Sequence, residues 1–305
     1  MLKLFAAALL FEFLATCARA QGDGPRAYLP SPVDTNVATV YGEVMKGNQS
    51  QVPGTVTPDS QVDLDLGYVE YSRSFAVDGF LSSAYASLPF GRESGTVSLG
   101  NLHYSQVSSG LGDLEIGAVL SLIGAPPMSE EESARYRPGF VLNGLFKVYL
   151  PTGNYSPSHI FNLGTHRWAF ELGAPMAYYI GESFADPQLT TLELLPSVTF
   201  YTDNNEPFHA TTQAQAPFYG IEIHVTRNLN KSFWLSLDGG WEFGGQTTTD
   251  AVKDGNSQRS FFLAGTLAFN LSPDASVNAT YGGTVNHNAA GMDAHMLRVT
   301  FSLSF

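Results

Sequence analysis

The last nine residues constrain the fold of this chain more than any other stretch. Leu297, Val299, Phe301, Leu303 and Phe305 alternate with Arg298, Thr300, Ser302 and Ser304. A period of two puts successive side chains on opposite faces of an extended strand, so the segment predicts a β-strand with one apolar and one polar face. The pattern recurs upstream. Phe233, Leu235, Leu237, Gly239, Trp241 and Phe243 form one apolar row, and Phe261, Leu263, Gly265, Leu267 and Phe269 a second. Further rows are Trp168, Phe170, Leu172, Ala174, Met176, Tyr178 and Ile180; Tyr219, Ile221, Ile223 and Val225; and Leu114, Ile116, Ala118, Leu120 and Leu122.

Read this way, the chain is all-β and carries twelve antiparallel strands, over 37–46, 61–75, 79–90, 113–124, 139–150, 166–180, 189–202, 217–227, 233–245, 258–271, 275–285 and 293–305. A phase slip near Val69-Glu70 predicts a bulge, and 98–105 is either a short strand or loop. No run of eighteen apolar residues follows the N-terminus, whereas a membrane-spanning helix needs about 20. Only 14% of residues are charged, against roughly a quarter in ordinary soluble domains.

Alternation fits two architectures. A soluble sandwich buries its apolar faces between sheets, while a transmembrane barrel turns them outward to lipid around a polar interior. Three features favour the barrel. Aromatic rings such as Trp168, Phe233, Trp241, Phe261 and Phe269 fall near strand ends, where strands cross the membrane interface. The chain ends on Phe305, and a final strand with Phe301, Leu303 and a terminal aromatic resembles the assembly signal of outer-membrane barrels, which implies the barrel-assembly machinery as a partner. The first twenty residues read as a secretory leader, with Lys3, an apolar stretch from Leu4 to Ala15 and the small-x-small site Ala18-Arg19-Ala20. Leu14-Ala15-Thr16-Cys17 faintly matches a lipoprotein box, which leaves lipidation at Cys17 as the alternative to cleavage.

The organisation expected is therefore a signal peptide over 1–20, an extended segment over 21–36 that enters the lumen, and a barrel over 37–305. Connections mostly alternate short (76–78, 228–232, 272–274) and long (47–60, 91–112, 151–165, 203–216, 246–257, 286–292), as in barrels with tight periplasmic turns and longer outer loops. The exception is 125–138, long and charged on the expected periplasmic side. An even strand count places both termini in the periplasm.

The polar faces then define the candidate site. Asp63, Asp65, Glu115, Lys147, Glu171, Glu193, Glu222, Asp238, Glu242 and Arg298 are expected to line the lumen, because a lipid-facing charge is costly. They act either as an electrostatic filter for cations or neutral solutes or as paired groups filling a narrow barrel. The formal net charge of −13 disfavours nucleic acid, whose phosphates would be repelled. The sole cysteine is Cys17, inside the leader, and the histidines show no zinc-binding spacing, so no metal or other cofactor is expected.

Leu88-Pro89-Phe90-Gly91, Gly110-Leu111-Gly112-Asp113, Leu150-Pro151-Thr152-Gly153-Asn154-Tyr155 and Asn162-Leu163-Gly164-Thr165 occur in this order. Together they resemble the transporter-like outer-membrane family named after the meta-pathway of phenol degradation, from about residue 28 to the C-terminus. The resemblance implies an outer-membrane barrel that passes small, often apolar or aromatic compounds, with lipid and solute as its partners. It carries over no functional residues. Two other readings stay open. His103 and Ser105 share a strand face, as a base and nucleophile of a lipid hydrolase would, and a closed adhesive barrel would use loops such as 91–112.

Overall fold

The computed structural model describes residues 23–184 and 186–305; the expected leader, with Cys17, lies outside them. Its strands are β1 (Asn36–Gly47), β2 (Ser60–Val77), β3 (Phe80–Leu99), β4 (Leu102–Leu111), β5 (Leu114–Ile123), β6 (Phe140–Leu150), β7 (Ala169–Gly173), β8 (Met176–Ile180), β9 (Thr190–Tyr201), β10 (Gln213–Gln215), β11 (Phe218–Asn228), β12 (Phe233–Gly244), β13 (Thr247–Thr249), β14 (Val252–Lys253), β15 (Gln258–Asn270), β16 (Ala275–His287) and β17 (Ala294–Ser304). β4 and β5 pair with successive lengths of β3, and β7 and β8 with successive lengths of β6 and β9. Each couple is one interrupted strand, so the wall has twelve strands. β10, β13 and β14 form a separate small sheet in the loops.

The sheet closes on itself. β1 pairs with β17 from Val37↔Ser304 to Gly47↔Ala294, and Asn36 and Phe305 exchange backbone hydrogen bonds of 3.0 and 2.9 Å. Closure joins the first and last strands, so the wall has no free end strand; among the described residues only β4, which pairs with β3 alone, has a side without a strand partner. Closure also brings the first and last strand ends to the same rim, here called the terminal rim. The one α-helix among the described residues, α1 (Glu130–Arg135), lies in the long 125–138 connection. It is fixed by a capping box between Ser129 and Glu132, and Val33 N donates to Met128 O at 2.8 Å.

The interruptions have local causes. Pro175 has no N–H to give the ladder, yet its carbonyl still accepts from Asn143 N at 2.8 Å. At the β4/β5 break, the Asp113 carboxylate accepts from Gly153 N and Thr165 N, both at 2.9 Å, and from Thr165 Oγ1 at 2.6 Å. Gly112 N donates to Pro89 O, and Asn154 N to Leu111 O. The four sequence motifs thus meet in one knot. Gly153 and Gly164 pack backbone to backbone there, with no room for a Cβ on either.

Around most of the wall the apolar rows face outward. On β15, Phe261, Leu263, Leu267 and Phe269 are exposed, while Phe262, Ala264, Thr266 and Ala268 are buried inside. Outward apolar side chains unpaired with any second sheet are what a lipid-facing wall requires and a sandwich forbids.

At the rim opposite the termini the pattern reverses. Met296, Met45, Leu64 and Glu93 are register partners across β17, β1, β2 and β3, and all four are buried inward. The outward row beside them reads His295, Lys46 and Asp63. β2 keeps unbroken register through Val69 and Glu70 with both neighbours, so the expected bulge is absent. The hydrophobic phase changes because the surroundings of the wall change. The expected 91–112 loop is likewise a hairpin, β3 running to Leu99 and β4 returning from Leu102, with 98–105 at its tip.

Candidate functional site: the barrel lumen

Inside the wall lies a cavity of about 1020 Å³. It reaches the terminal rim at Lys231, Asn270 and Ser272, and runs inward to Gln51 and Pro53. Part of its surface is the N-terminal segment 23–31, which lies within the barrel.

Glu115, Lys147, Glu171, Glu222, Glu242 and Arg298 all border this cavity. Most are tied to partners. Lys147 Nζ lies 2.6 Å from Asp23 Oδ1 and 3.3 Å from Glu171 Oε1, and Tyr149 OH donates to Glu171 Oε2 at 3.2 Å. Arg298 donates twice to Glu43 Oε2, at 3.0 and 2.8 Å, and lies over the Tyr41 ring, itself stacked on Tyr68. Tyr85 OH donates to Glu115 Oε1 at 2.5 Å. Glu193 also points inward and accepts from Arg26 N at 2.8 Å. Asp238 is enclosed: its carboxylate contacts His224 Nδ1 and Thr266 Oγ1, both at 2.8 Å, and Ser236.

Asp63 and Asp65 do not reach the lumen. They stand on the outer face of β2, alternating with buried Val62, Leu64 and Leu66. The lumen assignment fails because it assumed lipid along the whole strand. Before Gly67, from Val62 to Leu66, β2 follows the opposite rule, apolar in and charged out. Asp23 of the N-terminal segment and buried Glu93 of β3 were missed, and so were two wall-strand carboxylates that border the cavity, Glu43 and Glu70. Each of these last two alternates with outward apolar residues, Val40 and Val44 on β1 and Val69 and Tyr71 on β2. Extending the alternation through the supposed bulge would have found Glu70.

The inner end of the cavity is stopped by chain folded into the barrel. The 48–59 connection turns inward, held by Tyr201 OH to Pro53 O at 2.8 Å and by Gln215 Nε2 and Gln258 Nε2 to Gly54 O at 2.9 and 2.8 Å. Ser50 Oγ donates to Glu93 Oε1 at 2.6 Å. Phe161 and Leu163, from the 151–165 connection, pack against Met45, Val62, Leu64, Leu66 and Val97. A second apolar group of Phe262, Ala264, Met292 and Ala294 receives Val56.

His103 Nδ1 bonds Ser98 Oγ at 2.8 Å in an exposed hairpin, so Ser98, across the β3–β4 pair, is the hydroxyl this ring bonds. Among the described residues no group of three or more His, Cys, Asp or Glu is placed to hold a metal.

The family described as "Putative MetA-pathway of phenol degradation" matches residues 46–292. The chain belongs to that family. Among solved structures it is similar to the COG4313 outer membrane channel from Pseudomonas putida F1, with a TM-score of 0.75 at 20% identity, covering 92% of this chain and 99% of that one. This likeness shows the fold, an outer-membrane β-barrel. The translocator domain of autotransporter NalP from Neisseria meningitidis is more distant, with a TM-score of 0.48 at 10% identity, covering 91% of this chain and 90% of that one. No curated protein matches. The four motifs first read as a family resemblance are thus features of a family member, and their place in the fold is the knot around Asp113 rather than the lumen.

Proposed function

We propose that this family member is a non-enzymatic outer-membrane channel for small solutes, with its terminal rim in the periplasm. One observation carries the reading: a polar cavity reaches one rim inside a wall whose outer surface is apolar. The carboxylates that border the cavity, Asp23, Glu43, Glu70, Glu115, Glu171, Glu222, Glu242 and Asp274, outnumber the cations Arg26, Arg73, Lys147, Lys231 and Arg298. That balance favours cations and neutral molecules and disfavours anions. The tyrosines that share the wall, Tyr41, Tyr68, Tyr85 and Tyr149, suit neutral aromatic compounds, in keeping with the family description. The role of Glu115, Lys147, Glu171, Glu222, Glu242 and Arg298 is thus to set the field along the path. Glu193 and Asp238 support the wall behind them. The outward row of Phe301 and Leu303 on β17, with Phe305 just after it, is the part offered to the barrel-assembly machinery and then to lipid.

Planar-bilayer recording of the refolded protein tests this. Wild type should show small, cation-preferring conductance. Replacing residues 49–56 by a Gly-Ser linker should raise conductance severalfold, because those residues stop the inner end of the cavity. Glu115→Gln combined with Glu222→Gln should lower the cation preference. No conductance from either the wild type or the loop replacement would remove the proposal.

A further inference from the structure

Arg26 makes contacts unlike those of any other residue of the N-terminal segment. Its Nε donates to Thr226 Oγ1 at 2.9 Å and its Nη2 to Asn228 Oδ1 at 2.8 Å. Its guanidinium carbon lies 4.4 Å from the ring centroid of Trp234. Glu193, on the neighbouring strand, adds a carboxylate that accepts the Arg26 backbone N–H. An aromatic face, two neutral oxygens and an adjacent carboxylate are the groups that select a delocalised organic cation. All four come from the wall, on β9, β11 and β12, while the cation comes from a segment about two hundred residues away in sequence. Arg26, Asn228 and Trp234 border the cavity, so the cage opens onto the proposed solute path. The backbone at Arg26 has φ of 63°, a left-handed conformation costly for a side chain of this kind. Strain of that kind persists only where surrounding contacts impose it.

We propose that Glu193, Thr226, Asn228 and Trp234 form a binding site for small organic cations bearing a guanidinium or similar flat cationic head, and that Arg26 occupies it as a tethered competitor. A cationic solute entering from the terminal rim displaces the Arg26 side chain and removes one tie of segment 23–31 to the wall, leaving that of Asp23 to Lys147. The inference rests on the channel reading for the consequence of displacement, but not for binding itself.

A tethered group competes at an effective concentration on the order of millimolar, so removing it should expose the cage. Of the three tryptophans, Trp168 and Trp241 face outward. Trp168→Phe with Trp241→Phe leaves Trp234 as the sole reporter. In detergent-refolded protein of that background, methylguanidinium chloride is titrated against Trp234 fluorescence, with potassium chloride at equal ionic strength as the control. Arg26→Ala should give saturable binding at a concentration about tenfold lower than the parent. Arg26→Gly, which suits the positive φ, should behave like Arg26→Ala, and Arg26→Lys should stay near the parent. Adding Asn228→Ala to Arg26→Ala should weaken binding again. No saturable change in Arg26→Ala and Arg26→Gly, or an equal response to potassium chloride, overturns the site. The same samples are recorded in bilayers. Saturable binding without conductance defeats the channel and leaves the site standing; conductance without saturable binding does the reverse.

Discussion

Two heights of the same strand obey opposite rules. On the terminal side of β2, Val69 and Tyr71 face outward while Glu70 faces in. Toward the far rim, Asp63 and Asp65 face outward while Val62, Leu64 and Leu66 are buried inside. The register with both neighbouring strands runs straight through the change. No backbone device is involved; the two media have exchanged places. Along the lower wall, lipid is outside and a wet cavity inside. At the far rim, water is outside and a packed core inside, so this end follows the pattern of a soluble barrel. The lumen is closed there by the same physics that folds soluble domains, with Phe161 and Leu163 supplied by a loop.

That contrast is broken most directly at Leu64, which is wholly buried. Leu64→Asp removes a packed side chain and places a carboxylate against Met45 and Phe161. The loss should exceed about 4 kcal/mol in urea unfolding from lipid vesicles. A cost under about 1 kcal/mol would mean that the far end is wet and its closure loose. The next largest effect belongs to the belt. Leu267 is 53% exposed in the middle of the outward row of β15, so Leu267→Arg should cost about 2–4 kcal/mol in lipid. Asp65→Arg, equally outward but beyond the belt, should stay within about 0.5 kcal/mol. Equal costs at both positions would show that lipid covers the whole wall.

This contrast also explains what was legible in the sequence. Alternation located all twelve wall strands because it depends only on the medium on each side of a strand, and lipid on one side writes a strong signal. β17 shows it cleanly from Leu297 to Leu303. The same rule misplaced Asp63 and Asp65, since it carries no mark of where lipid ends. Glu93, Phe161 and the inward 48–59 connection were not legible for a different reason. Their burial depends on contacts between segments far apart in the chain, and no local period encodes that. The turn signals of the family motifs were readable, yet their convergence on Asp113 needed the closed barrel. In the lumen, charge was readable but pairing was not: nothing in the sequence connects Asp23 to Lys147 or Arg26 to Trp234.

The smallest expected effect is also the sharpest check on where the membrane stops. Lys46 and Asp63 are register partners on the outer face, with Nζ 3.5 Å from Oδ1 and side chains 74% and 56% exposed. In water such a pair gains little, because solvent screens both charges and two long side chains lose freedom to hold one geometry. Asp63→Asn should therefore cost less than about 0.5 kcal/mol, and added salt should shrink even that. The same two charges in hydrocarbon would behave otherwise, since removing one partner strands the other in a medium that cannot solvate it. A salt-independent loss of 2 kcal/mol or more, on the order expected for a lipid-facing charge, would put lipid against Lys46. The far rim would then be part of the belt, and the inversion along β2 would need a cause other than an exchange of media.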